Sequence, residues 1–324
     1  MVPLLLALIA GMRPQAASPG SCWLRDAAST DSGVVFLLCE QGSLFKSRDL
    51  MEWEAVRIPA SDRLRAIHFL DERHGIVVGD SGLLMVTSDG GKNWEKRPSG
   101  TRESLTTVHG AGRKVWAGGH GGVILHSDDA GLTWQLQPAF TTGTIESVYF
   151  LDENRGWAVG WAGLLLRTTD GGRFWDSVRL PGVWETLSCV RFRDARNGWA
   201  VGMFGAMLRT RDGGSTWQRL DAPVKSWLTS IAFVPGGTAW IAADYQLLRS
   251  DDDGETWREV AVEMPAAVIR LLATRNAVLA AGPGFVAAHS GSQSAWGRLD
   301  IEEIMRRAAR LAPQAAVSAA GGRR

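Results

Sequence analysis

Apolar residues in this chain fall into short runs separated by turn-forming residues, and the arrangement recurs. One stretch shows it clearly: Glu146-Ser147-Val148-Tyr149-Phe150-Leu151, then Gly156-Trp157-Ala158-Val159-Gly160, then Gly163-Leu164-Leu165-Leu166-Arg167. Asp152-Glu153-Asn154, the Gly160 to Gly163 segment and Pro181-Gly182 punctuate it. Runs this short, bounded by turn signals, predict β-strands. With one more strand after a polar box, each unit carries four.

The unit repeats. Trp53, Trp94, Trp134, Trp175, Trp217, Trp257 and Trp296 follow one another at steps of 41, 40, 41, 42, 40 and 39 residues. A period near forty that persists to both ends marks one supersecondary unit copied around or along an axis. Five of these tryptophans end almost the same text: TSDGGKNW, SDDAGLTW, TTDGGRFW, TRDGGSTW and SDDDGETW. The first copy, SRDLMEW, is shorter and lacks glycine; the last, SGSQSAW, has Ser292 where Asp would stand. Degenerate terminal copies are expected of repeat proteins.

Each box residue has a mechanical duty. The carboxylates of Asp49, Asp89, Asp129, Asp170, Asp212 and Asp252 can accept backbone N–H groups of the turn that follows. Glycine supplies the positive φ. The Ser or Thr two residues earlier lies on the same strand face and can bond into the same turn. The Trp buries a large ring and anchors the returning strand. Four strands per forty-residue repeat describe a propeller blade. The predicted fold is all-β, a seven-bladed β-propeller over residues 20–300, with residues 1–19 a signal peptide or disordered segment. Residues 301–324 are expected to form a short amphipathic helix through Arg310 and an Ala/Gly-rich disordered tail, frayed rather than docked.

The box resembles the Asp-box, or BNR repeat, of sialidases and related propellers. The longer text, DENRGWAVGWAGLLLRTTDGGRFW and DARNGWAVGMFGAMLRTRDGGSTW, resembles the photosystem II stability/assembly-factor family and its relatives in non-photosynthetic bacteria. The likeness covers about residues 20–300 and is strongest for blades two to six. It implies a seven-bladed scaffold that binds a protein partner, such as a membrane or envelope complex, and assists its assembly or stability. Photosynthesis itself is not implied, since relatives occur in organisms without a photosystem.

Composition changes little. The 324 residues carry a formal charge of +1, so nothing in the net charge favours nucleic acid as a partner. No run reaches the ~18 apolar residues of an integral membrane span. Val2 to Gly11 is apolar and leads to Gln15-Ala16-Ala17-Ser18, which resembles a cleavage site, although a basic leader is missing. Export to the periplasm is the expectation, with the cytoplasm as the alternative and a monomer as the state. No Cys sits in a lipid-attachment context. Of Cys22, Cys39 and Cys189, the first two fall on neighbouring strands and could pair; buried free thiols are the favoured expectation.

Numbering strands A to D from the axis outward, box turns and A–B turns share one face and repeat closely. B–C and D–A loops form the other face, where repetition stops. Trp161, Trp184 and Trp227 lie there, outside both the box series and a second series in strand B (Trp116, Trp157, Trp199 and Trp240), and Phe140, Phe204 and Tyr245 fall in the same sector. Loop aromatics without a repeat duty are candidates for partner anchors. The competing reading is local packing over the blade tops.

Catalysis is not expected. The alternative, a glycan-binding or sialidase-like hydrolase, needs an arginine triad, a Tyr nucleophile with its Glu and an acid donor. Arg57-Ile58-Pro59 superficially fits, but it occupies an outer-strand repeat position, and only Tyr149 and Tyr245 are present. No metal or cofactor is expected: the six histidines are scattered, although His68 and His109 occupy equivalent positions facing the channel or its wall. Lys46, His126, Arg167, Arg209 and Arg249 precede the boxes at equivalent positions, with Val86 the exception. They are expected to pair with box carboxylates such as Asp170 or with neighbouring acids.

Overall fold

The computed structural model describes residues 22–262, 264–274, 277–290 and 296–311. The expected leader (1–19), the tail beyond 311 and Ser292 lie outside these residues. The first blade consists of β1 (Leu24–Ser29), β2 (Val35–Cys39), β3 (Ser43–Ser47) and β4 (Glu54–Arg57). Six further four-stranded antiparallel sheets follow in chain order: β5–β8 over 64–96, β9–β12 over 105–136, β13–β16 over 145–177, β17–β20 over 187–219, β21–β24 over 228–260 and β25–β28 over 270–300. The A strands of consecutive blades adjoin one another, and β25 adjoins β1. The fold is a closed seven-bladed β-propeller.

The core is distributed as seven apolar clusters, one between each pair of neighbouring blades. Its recurring unit is aromatic. Trp157 of strand B stacks on Phe192 in strand A of the next blade at 3.5 Å, and Phe192 meets the box residue Trp217 edge-on at 5.9 Å. Trp116, Phe150 and Trp175 repeat this arrangement, as do Phe36, Phe69 and Trp94. Offset and edge-to-face ring pairs add about 0.5–1.5 kcal/mol each beyond their buried area. The strand-B and box tryptophans thus serve one interface from opposite blades.

The boxes work as their residues predict. The Phe174 N–H donates to Asp170 Oδ1 at 3.0 Å, and Thr168 Oγ1 donates to the same oxygen at 2.9 Å. Thr168 Oγ1 also accepts the Gly172 N–H at 2.9 Å. The second glycine has an additional reason to be glycine: a Cβ on Gly214 would stand 2.2 Å from Trp157 Nε1 of the preceding blade.

Inside the ring, a second stitch joins blades. Strand A of the first six blades bulges after its first residue, and in several the side chain just past the bulge accepts an N–H from the next A strand. Asp26 accepts from Ile67, Ser147 from Val190 and Ser230 from Leu271. At the join of first and last blades, Arg270 pairs with buried Asp26 at 2.9 Å.

Two expectations are corrected here. Cys22 and Cys39 form a disulfide, with their Cα atoms 5.3 Å apart. The pairing of Leu24 with Cys39 across β1 and β2 brings Cys22 alongside. Cys189 alone is a buried free thiol. Helix α1 (Ile301–Leu311) does not fray away: Ile301, Ile304 and Ala308 are buried in the cluster between the last and first blades, with Leu24, Val35 and Trp53. The helix closes the ring from outside, and Arg307 Nη1 donates to the Met51 carbonyl in the first box. That explains the aberrant first box: Leu50, standing where other boxes carry small residues or acids, packs into this same cluster.

Candidate functional site

The loops divide between two faces as the repeat implies. The B–C turns bond to the D–A loops: Trp161 N–H donates to Thr144 O, Met203 N–H to Thr186 O and Asp244 N–H to Trp227 O. The box turns bond to the A–B turns: Gly171 N–H donates to Asn154 O and Gly213 N–H to Arg196 O. The first face carries the six sequence-selected aromatics, and all are exposed: Phe140, Trp161, Trp184, Phe204, Trp227 and Tyr245.

Their positions are held from below. The Trp161 indole donates to Glu146 Oε1 at 2.7 Å, and the Trp227 indole to Ser188 Oγ at 2.6 Å. Glu146 and Ser188 occupy the second position of their A strands, so both rings stand beside the channel mouth. The Trp227 N–H donates to Asp244 Oδ2 at 3.1 Å, tying this loop to the one that carries Tyr245. Trp184 and Phe204 form the one ring pair the structure brings together within the set, at 6.1 Å. The loop under Trp184 is fixed by Glu185, only 5% exposed, whose carboxylate takes Arg219 Nη2 at 2.6 Å. Arg219 foremost holds the Glu185 carboxyl below the usual range, against the opposing effect of burial. Glu146, Ser188 and Glu185–Arg219 are supports that the aromatic reading missed. The signal available was their adjacency, after folding, to loops already singled out.

Two of these rings stand on left-handed backbone, one of them at the B–C turn position where Ser81, Ala162 and Asp244 are left-handed too. Phe204 sits at φ 56 and Phe140 at φ 47, in the left-handed region. Bulky side chains there are outliers that cost roughly 1–3 kcal/mol and persist where the surroundings impose them. Rings 57% and 86% exposed gain little burial in return.

The channel holds a second aromatic and cationic row. His68 and His109 rings lie 5.0 Å apart, His109 lies 4.8 Å from Tyr149, and Arg191 covers Tyr149 at 5.5 Å. Burial, then the charges of Arg270 and Arg191, lower His68 to about 4. Burial also drives His109 well below its ordinary value. His109 Nδ1 accepts the Phe150 N–H at 3.2 Å. Among the described residues no group of three or more His, Cys, Asp or Glu is arranged to hold a metal.

The residues that the sialidase-like alternative singles out lie apart. The Tyr149 hydroxyl donates to the Phe192 carbonyl at 3.1 Å, and burial raises its pKa, the wrong direction for a nucleophile. Tyr245 lies far up on an exposed loop, and Arg57 is an exposed residue of outer strand β4.

Three of the five pre-box cations, His126, Arg209 and Arg249, pair with neighbouring acids, and none of the five pairs with Asp170. Arg209 binds Glu255 of the next blade at 2.5 Å, and Arg249 binds Asp251 at 2.6 Å. Arg167 Nε donates to the Gly213 carbonyl of the next blade's box at 3.0 Å. Each cation is in register with the strand-B residue of its own blade, and most cover its ring: Lys46 on Phe36, His126 on Trp116, Arg209 on Trp199 and Arg249 on Trp240. Where strand B has Ile76 instead, its partner is Val86.

Comparison with known proteins agrees with this architecture. The family described as photosynthesis system II assembly factor YCF48 matches residues 45–141 and 174–299. A photosystem II assembly lipoprotein Ycf48 from Nostoc sp. is 40% identical over 63 residues, 19% of this chain and 19% of the relative. The chain thus matches less than a quarter of that curated relative's length. The solved structure of YCF48 bound to a D1 peptide superposes with a TM-score of 0.69 at 19% identity, covering 85% of this chain and 93% of that one. A GH74 xyloglucanase from Xanthomonas campestris reaches 0.65 at 13% identity, covering 88% of this chain and 55% of the enzyme, a likeness of fold alone. With more than half of its residues matched by the family, including all seven box tryptophans, the chain belongs to the photosynthesis system II assembly factor YCF48 family.

Proposed function

We propose that the chain is a non-catalytic, exported protein-binding propeller that assists assembly or stability of a membrane protein complex. The observation that carries this reading is the aromatic sector on the loop face. Six large rings stay exposed, two of them on strained backbone, while indole N–H groups and loop carboxylates hold the loops in place. Pre-positioned, solvent-facing Trp, Tyr and Phe match the residue types that dominate binding hot spots.

Several facts support the surroundings of that role. Relatives bear the name of assembly lipoproteins, and one family structure holds a D1 peptide. The Cys22–Cys39 disulfide suits an oxidising compartment. No helix among the described residues is long and apolar enough to cross a membrane.

The test uses tagged wild-type chain and a Trp161→Ala/Trp184→Ala variant. Each is crosslinked to solubilised native membranes; the membrane protein recovered with wild type is then purified and titrated. The double variant should bind it about thirtyfold or more weakly, which is about 2 kcal/mol, with an unchanged melting temperature. Equal affinity would remove this patch. Hydrolysis of a sialoside or xyloglucan by the wild type would overturn the non-catalytic assignment.

A further inference from the structure

The second and third blades meet without the ring pair that recurs at four of the seven interfaces. At the four interfaces that follow strand-B residues Phe36, Trp116, Trp157 and Trp199, that ring meets a Phe of the next A strand. Here the positions hold Ile76 and Gly110, and the pre-box cation is Val86. On the box side of this interface lies a cleft of about 600 Å³.

Sister blades show what normally fills that place. Arg167 donates to the Gly213 carbonyl, and Gly213 corresponds to Ala130 of the third box. Arg209 pairs with Glu255, which corresponds to Leu132. Lys46 reaches the second box beside Gly90, again the Ala130 position: a Cβ on Gly90 would come 3.1 Å from Lys46 Nζ. Val86, Ala130 and Leu132 all line the cleft. Three blades therefore place their own cation between these positions, and the second blade places none.

We propose that this cleft is a docking slot for a basic side chain, arginine before lysine, carried on an extended segment of a protein partner. The occupant's stem would lie along Val86 and half-exposed Leu132, where sister blades lay the Arg209 and Arg249 side chains over their strand-B rings. Its head would meet the third box beside Asp129, with Asp89 of the second box nearby, in a lining that also holds Arg113 and the Arg97–Glu95 pair. The Arg97 Nε–H, buried and without an acceptor among the described residues, is a donor for the segment's backbone carbonyl. The slot lies on the box side, away from the loop-face aromatics, so it stands or falls independently of them.

The probe is the peptide acetyl-Ala-Leu-Arg-Ala-amide, with citrulline in place of arginine as the neutral isostere. Binding is read from methyl resonances of Val86, Ile76 and Leu132. Wild type should show saturable shifts with a Kd of about 1 mM or below, and the citrulline peptide should bind at least about tenfold more weakly. Val86→Arg fills the slot from within, as Arg209 does in the fifth blade; it should keep its melting temperature and lose the peptide. Leu132→Glu recreates the Glu255 position at an exposed site and should tighten binding about tenfold. Absence of saturable shifts in wild type, equal binding of the citrulline peptide, retention by folded Val86→Arg, or no gain in Leu132→Glu would each overturn the proposal.

Discussion

Adding one methyl group at Gly214 should damage the ring more than adding it at Gly213, although both glycines have positive φ, 80 and 71. An L side chain in the left-handed region costs roughly 1–2 kcal/mol. That is the main cost of Gly213→Ala, whose Cβ would also stand 2.9 Å from the Ala195 carbonyl oxygen, and the chain tolerates a side chain at this box position elsewhere: Ala130 and Asp253 sit there at φ 61. Gly214→Ala adds a collision, because its Cβ would lie 2.2 Å from Trp157 Nε1. Trp157 is 1% exposed and stacked at 3.5 Å on Phe192, so it has nowhere to retreat. Overpacking of this kind costs about 1–3 kcal/mol more. Gly214→Ala should therefore lose about 2–5 kcal/mol and Gly213→Ala about 1–2. Urea unfolding followed by tryptophan fluorescence measures both, with the midpoint falling and the slope unchanged. Combining Gly214→Ala with Trp157→Phe removes the colliding nitrogen and should show a favourable coupling of about 1 kcal/mol or more. If the two alanine variants differ by less than about 1 kcal/mol, the close approach of blades does not set the identity of this glycine.

Other consequences follow from the seam and the channel. Replacing Cys22 and Cys39 by Ser opens a link of sequence separation 17 and should cost about 3 kcal/mol, with reduction of the wild type giving the same loss in urea unfolding. Ile304, 0% exposed where α1 closes the ring, should cost about 2–4 kcal/mol as Ala; a loss below about 1 would mean the helix is an ornament. His68 titrates at about 4 in the folded chain. The unfolded chain takes up that proton near pH 6.5. Stability should therefore decline as pH falls from about 6.5 towards 4, and His68→Gln should flatten this slope; an unchanged slope would refute the assignment.

Much of the fold was legible because its determinants are local. Asp170, Thr168 and Gly172 satisfy one another within five residues, so the box reads directly from the chain. The blade count follows from repetition. What escaped was long-range. The Cys22–Cys39 bond depends on strand register, and the burial of Ile304 depends on where the ring closes, which no local pattern specifies. The cation series was visible, but its partner was not. Arg167 and Trp157 are ten residues apart on different strands, and only the pairing of B with C shows that ring and cation form one unit. The loop aromatics were legible as interruptions of the repeat, whereas their supports, Glu146 and Ser188, look like ordinary strand residues.

The interruptions themselves sort by burial. In a repeat whose units contact only their neighbours, each position is constrained by the same interface, so a departure needs a local cause. Leu50 departs from the box and is drawn into the seam cluster with α1, a cause found in ring closure. Trp161, Trp184 and Phe204 depart and stay 55%, 68% and 57% exposed, so intramolecular packing does not account for them. Ile76, Val86 and Gly110 depart together at one interface; Leu70 fills the space beside Gly110, and a cleft remains beside Val86. Buried departures that fill space belong to closure. Departures that expose rings or leave space carry no such return to stability, and recognition of a partner is the remaining physical reason for the ring to keep them.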